Sequence, residues 1–217
     1  MTNADQPSES ISSAQNGLIP WNRAFIRSGF CFQSRDASFD FSRERLQNRV
    51  YLQTILTTMG QHENFDGNVF SPTVPTVDES VWLATIESSH KRAEGGDFFD
   101  LEIMDTYMAG IVRWLNIVGI ETAGSCDGHA TKEPYLWVGE CQGALLDYCL
   151  QVLSSSRKWR FSNCREITKH VIRNNRPRSV PDYDRNWLLD VGEEVHRRQK
   201  SLTELVVAAK KIAYPRE

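Results

Sequence analysis

Long apolar runs are missing from this 217-residue chain: the longest, such as Leu205–Ala209, fall far short of the ~18–20 residues a membrane span needs. Basic residues are missing from its first 17 positions, which also lack an apolar stretch, so no secretory signal is expected. Cysteines are few, odd in number at five, scattered, and never arranged as Cys-x-x-Cys pairs. That pattern points to free thiols in a reducing cytoplasm rather than to a disulfide framework. The chain has no Walker loop, no GxGxxG, no GxSxG and no His-Glu-x-x-His, which removes the sequence signatures of P-loop, dinucleotide-binding, α/β-hydrolase and zincin chemistry. No motif identifies a cofactor. There is no internal repeat and no heptad array long enough for a coiled coil.

What is present is a globular composition, 40% hydrophobic and 24% charged. A chain of 24.8 kDa buries about 70% of its unfolded surface, enough for a core without staples. The net charge of −3 hides an asymmetry. Residues 1–150 carry 10 Lys+Arg against 20 Asp+Glu, a balance of −10, and residues 151–217 carry 15 against 8, a balance of +7. Between 157 and 178, Arg157, Lys158, Arg160, Arg165, Lys169, Arg173, Arg176 and Arg178 face a single acid, Glu166. Such a block either concentrates phosphate-bearing ligands or docks as a solvated face on the acidic half of the same molecule.

Residues 1–17 are polar and expected to be a disordered tail; 18–96 form a helical N-terminal region, 97–180 an α/β unit and 181–217 a C-terminal helix, together one globular domain. The aromatic-rich stretch 20–33 is expected to be extended or irregular. A helix over about 43–59 carries Leu46, Val50, Ile55 and Met59 and stops at Gly60; 61–75 reads as a loop. Thr76 and Glu79 resemble a capping box opening a helix with Val81, Trp82 and Ile86, ended by Gly95 and Gly96. Asp97 or Asp100 opens the best-patterned helix, with the stripe Met104, Tyr107, Met108, Ile111, Leu115 and Val118, closed by Gly119. Strands follow at 120–123 and 134–140, then a helix over 141–154 and a strand over 158–162. One long helix over about 184–212 carries Trp187, Val191, Val195, Leu202, Leu205, Ala209 and Ile212, interrupted at Arg198 and Gln199. The fold class is therefore α/β or α+β, a small and mostly antiparallel sheet with packed helices.

The segment Gly124-Ser125-Cys126-Asp127-Gly128-His129-Ala130 is the one whose composition core packing does not explain. Glycines permit left-handed backbone and close approach, and function concentrates on loops held by a rigid scaffold. Three readings stand. Cys126 and His129 could perform nucleophilic or acid–base chemistry with Asp127 orienting the imidazole. They could be half of a zinc site completed by Cys141, Cys149, Cys164 or His170. Or the segment is a tight turn in which Asp127 and Ser125 satisfy backbone amides. Elsewhere, His62 reads as loop surface, His90 as a polar helix end, and His196 as the solvated side of the last helix. Lys158-Trp159-Arg160-Phe161 reads either as a strand with one cationic face or as stacking platforms for bases.

The order helix, short strand ending near Thr122, then Ser125-Cys126-x-Gly128-His129 and an apolar strand resembles the Ser-Cys-Ser-Gly-Arg loop of the wybutosine-synthesis methyltransferase family, which modifies transfer RNA. It is also similar to small phage and bacterial proteins with a Ser-Cys-Cys-Gly-His loop. The likeness covers about residues 100–140, with His129 where the family has Arg and Asp127 where it has a second Ser. It implies an α/β domain that handles a nucleotide or RNA. On that view Cys126, His129, Asp127 and Ser125 are the catalytic candidates. Thr122, Gly124, Gly128, Arg157, Lys158, Arg160 and Arg165 are the substrate-binding ones. The rival expectations are a non-catalytic subunit docking a protein partner through its C-terminal helix, and a zinc-stabilised RNA-binding module. No membrane partner is expected.

Overall fold

The computed structural model describes residues 17–91, 99–132, 134–139, 159–163, 169–174 and 185–213, with the backbone alone at 139, 159–163, 169–174 and 210–213. The expected tail up to 16, the helix over 141–154, and the Gly95–Gly96 stop lie outside the described residues.

The aromatic-rich stretch is a helix rather than an irregular segment. Strand β1 (Leu18–Pro20) leads directly into α1 (Trp21–Arg27), where Trp21, Ala24 and Phe25 fall three to four residues apart and bury one face. Proline supplies the fixed φ at the junction, −59°, and has no amide for the helix start to leave unsatisfied. The N-terminal region is also less purely helical than the sequence implies. Short strands β2 (Gln33–Arg35), β3 (Ser38–Asp40), β4 (Phe65–Asp66) and β5 (Val69–Phe70) form an antiparallel sheet in the order β2-β3-β5-β4. Strand β6 (Thr76–Asp78) pairs antiparallel with β1, Ile19 opposite Val77. Strands of two or three residues have too little period to be seen in sequence. Their rings close the core: Phe25 meets Phe39, Phe41, Phe70 and Trp82 edge to face, at 5.0 Å between centroids for Phe41.

Helix α2 (Leu46–Thr58) is present, but its buried face is Asn48, Tyr51, Leu52, Ile55 and Leu56, while Leu46 and Val50 are exposed. At about 100° per residue, Leu46 and Ile55 point in opposite directions, so the expected stripe was never one face. Helix α3 (Glu79–Ser89) is capped by Asp78, whose carboxylate accepts from the Ser80 and Val81 amides. Thr76, expected as the cap, is held extended by the β1–β6 pairing. After a short turn at Leu101–Ile103, α4 (Thr106–Ile117) begins nine residues later than Asp97, which lies outside the described residues, and six later than Asp100.

The α4 stripe is buried as expected at Met108, Ile111 and Leu115, but so are Ala109, Gly110, Val112, Arg113 and Trp114. The reason is that α4 is central: α1 packs on one side and α5 (Asn186–Arg197) on another. Small residues permit this. A Cβ on Gly110 would sit 2.5 Å from the Arg27 carbonyl oxygen, and one on Gly192 of α5 would lie 3.1 Å from the Ile111 nitrogen. Arg27, itself buried, ties the junction by pairing with Glu79, Asp190 and Glu193.

Strands β7 (Thr122–Cys126), β8 (Tyr135–Gly139), β9 (Trp159–Asn163) and β10 (Lys169–Asn174) form a second four-stranded antiparallel sheet in the order β7-β8-β10-β9. Strand β7 runs further than expected, so Gly124, Ser125 and Cys126 belong to the strand and not to the loop, with a register shift between Thr122 and Gly124. Strand β10 lies inside the basic segment, where the sequence suggested no strand. The single long C-terminal helix is two, α5 and α6 (Gln199–Ala213), broken at Arg198 where the apolar stripe is interrupted. Trp187, Val195, Leu202 and Val206 are buried in the same apolar cluster as the N-terminal aromatics. His196 is not on a solvated face: it packs edge to face on Trp114 at 4.7 Å. Among the described residues, no helix is long and apolar enough to cross a membrane.

Candidate functional site

The polar segment forms the outer corner of the β7–β8 hairpin. Cys126 ends β7 opposite Tyr135 of β8. Asp127 follows with its side chain only 3% exposed, and the chain then passes through three left-handed residues, Gly128 (φ +80°), His129 (+47°) and Ala130 (+58°). For the two that carry a Cβ this costs roughly 1–2 kcal/mol each, so other contacts must hold the turn. Asp127 Oδ1 accepts from the His129 amide at 2.8 Å, and the Gly128 carbonyl accepts from the Thr131 and Lys132 amides at 2.9 Å each. The Gly128 amide donates to Cys126 Sγ at 3.3 Å. Gly128 is thus a backbone requirement, whereas a Cβ on Gly124 would make only ordinary contact with the Trp137 ring at 3.7 Å.

Two residues distant in sequence complete the corner. Asp105, at the N-terminus of α4, leaves its own helix uncapped by its side chain and instead accepts from the Asp127 amide at 3.0 Å through Oδ2. Arg185, just before α5, donates to Asp127 Oδ2 at 2.8 Å and to Glu87 of α3 at 3.0 Å, with its guanidinium 4.1 Å over the Tyr107 ring. The result is a carboxylate with both oxygens engaged. His129 Nδ1 lies 3.5 Å from Asp127 Oδ1, while the imidazole itself is 69% exposed. The ligand-capable atoms of Asp105, Cys126, Asp127 and His129 all lie within 4.8 Å of one another.

The electrostatics of the thiol follow from this packing. Burial pushes the Cys126 thiol above its ordinary range; the Gly128 amide pulls it down, but the neighbouring Asp105 and Asp127 carboxylates push it up again. At neutral pH the sulfur therefore carries its proton, and among the described residues the charges that act on it are carboxylates rather than cations. Tyr135 is raised for the same reasons, burial first and then Cys126 and Asp105.

Of the residues singled out in the sequence, Cys126, Asp127, Gly128 and His129 are brought together with Ser125 one position back on β7. Thr122 is buried, and its Oγ1 accepts from Asn116 at 2.9 Å, which fastens β7 to the end of α4. Arg160 lies in β9, at the opposite edge of the sheet from β7, about 14 Å away across three strand spacings. Arg157, Lys158 and Arg165 lie outside the described residues, as do Cys141, Cys149 and Cys164. His170, the other suggested zinc partner, is in β10, separated from β7 by β8. Sequence reasoning missed Asp105 and Arg185. The first falls inside the helix expected to open at Asp97 or Asp100, and the second is one of many cations in the basic half. Set against protein-family models, curated proteins and solved structures, the chain matches none of them.

Proposed function

We propose that this chain is an enzyme-like domain that acts on a nucleotide or nucleic acid at the Cys126–His129 corner. The observation that carries the reading is the gathering of a thiol, an exposed imidazole and two carboxylates around a left-handed turn, rigidly held from behind by Arg185. A bare turn needs neither an exposed histidine in left-handed backbone nor a second carboxylate brought in from another element. Cys126 and His129 contact the substrate, Asp127 and Asp105 hold the turn, and Ser125 with the loop amides positions the ligand. Because its proton is retained, Cys126 acts as a contact or ligand rather than as a free nucleophile. The basic residues Arg157, Lys158, Arg160 and Arg165 supply steering for a phosphate-bearing substrate, and the reduced thiols suit a cytoplasmic setting. Burial of Trp187, Val195 and Leu202 favours this reading over a docking subunit, since these members of the expected stripe are used by the protein's own core.

The test titrates the full chain with a fluorescein-labelled single-stranded RNA and with the common ribonucleotides at rising salt, beside Cys126→Ser and His129→Ala. Expected are binding that weakens steeply with salt and variants at least about tenfold weaker with unchanged melting temperatures. Absence of binding to every probe, or a loss of binding matched by an equal loss of melting temperature, overturns the reading.

A further inference from the structure

We infer that Asp105, Cys126, Asp127 and His129 form a binding site for one divalent transition-metal ion of the zinc type. The inference deepens the reading of this corner as the working site and rests on it; the ion is what Cys126 and His129 would hold toward a substrate phosphate or base.

Donor chemistry comes first. One sulfur, one imidazole nitrogen and two carboxylate oxygens are a mixed borderline set. It suits zinc and its neighbours, and the thiol disfavours magnesium and calcium, which prefer oxygen alone. Geometry comes second. Bond lengths of about 2.0–2.3 Å in a tetrahedron place ligand atoms about 3.3–3.8 Å apart. The four donors already lie within 4.8 Å of one another, so closure by about 1 Å suffices. The most exposed member, His129, is the one free to turn inward.

Charge balance favours the same ion. With the thiol ionised by the metal, Cys126, Asp105 and Asp127 bring three negative charges, and a divalent ion brings two positive ones. Arg185 supplies the remaining positive charge through Asp127 Oδ2 at 2.8 Å, while Oδ1, which also accepts from the His129 amide at 2.8 Å, lies 3.5 Å from His129 Nδ1. It is the outer-shell partner that orients a ligating carboxylate, and its own position is set by Tyr107 and Glu87. In place of the distant cysteines and His170 that the sequence offers as remaining zinc ligands, carboxylates stand here, one adjacent to the cysteine and one 22 residues before Asp127.

The experiment uses the full chain, stripped with a chelator and dialysed, and the metal alone as probe. Zn²⁺ is titrated against a chromophoric competitor, and Co²⁺ is followed by its thiolate charge-transfer and tetrahedral absorption bands. Expected are one equivalent per chain and no displacement by excess Mg²⁺. Affinity should fall at least about tenfold in both Cys126→Ser and His129→Ala, and the charge-transfer band should vanish in Cys126→Ser. His129→Ala guards against misfolding, because its side chain is mostly outside the protein. Absence of stoichiometric binding, or Zn²⁺ affinity unchanged in both variants, overturns the site. A protein that binds RNA but no metal would overturn the metal site alone. One that binds metal through these residues but no RNA or nucleotide would overturn only the proposed substrate.

Discussion

Two clusters in this protein are built from the same three residue types, a cysteine, an acid and an arginine, and only one of them is open. In the interior, Glu44 with a fully buried side chain meets Arg113, 6% exposed, at 2.8 Å. Its oxygens also accept from the Cys31 and Arg45 amides and from Asn48, while Arg113 donates to the Phe99 carbonyl and to Cys31 Sγ. Every oxygen of that carboxylate is occupied by protein, and the cluster locks the loop before α2 onto α4. At the hairpin corner, Asp127 is nearly as buried and is paired with Arg185, but the neighbouring His129 imidazole reaches solvent, 69% exposed. The difference teaches that residue type does not separate structure from chemistry here. Access does, together with a residue such as His129 kept where packing does not use it.

The two thiols show the same contrast. Burial raises both. Beside Cys31 the Arg113 cation pulls the value back down, whereas the nearest charges to Cys126 are the Asp105 and Asp127 carboxylates, which push it further up. An electronegative corner of this kind favours a cation.

Breaking the closed cluster should have the largest effect. Glu44→Ala leaves the Arg113 guanidinium buried without its carboxylate and is expected to cost about 3–5 kcal/mol, or roughly 10 °C in melting temperature. Calorimetry on the variant checks it, and a shift of only a degree or two would mean that the two clusters are not energetically distinct. At the open cluster the expected sign is reversed. His129→Gly removes a Cβ from a residue at φ +47°, so stability should hold or rise by up to about 1 kcal/mol while metal and substrate binding are lost. Urea unfolding beside Zn²⁺ titration would show whether stability and binding part company in this way.

The smallest effect concerns His196, which is half-buried against Trp114 where His129 is exposed. Burial against Trp114 lowers the His196 pKa, and Glu193 only partly offsets this. Its folded value is therefore below the ordinary 6.5, and the unfolded chain takes up the proton first as pH falls. His196 thus contributes full stability above about pH 6.5, and that contribution shrinks as pH drops from there toward the folded value. His196→Gln should flatten this part of the melting-temperature profile. A profile with unchanged slope would assign the dependence to other groups.

Much of the fold was legible in the sequence wherever the pattern was local. The α4 stripe, the α3 tryptophan face and strand β8 all follow from local period, whereas the interruption of the apolar stripe at Arg198 and Gln199 is visible in the sequence but the break it marks between α5 and α6 is not. Helix α1 was missed because its seven residues carry only two turns of period, and β1 to β6 because strands of two or three residues show no alternation of their own. Strand β10 was hidden by cations that obscure its alternation.

The candidate site divides along the same line. The sequence by itself determined the polar hairpin corner, its cysteine and histidine, and the need for glycine at 128, since these depend on composition and on backbone torsion. Only the tertiary structure decided that Asp105 and Arg185 belong there, 22 and 58 residues from Asp127. Those pairings arise because α4 and α5 pack through Gly110 and Gly192, bringing their N-terminal ends to one sheet corner. A contact made by the docking of whole elements leaves no local period, so no reading along the chain could have placed it.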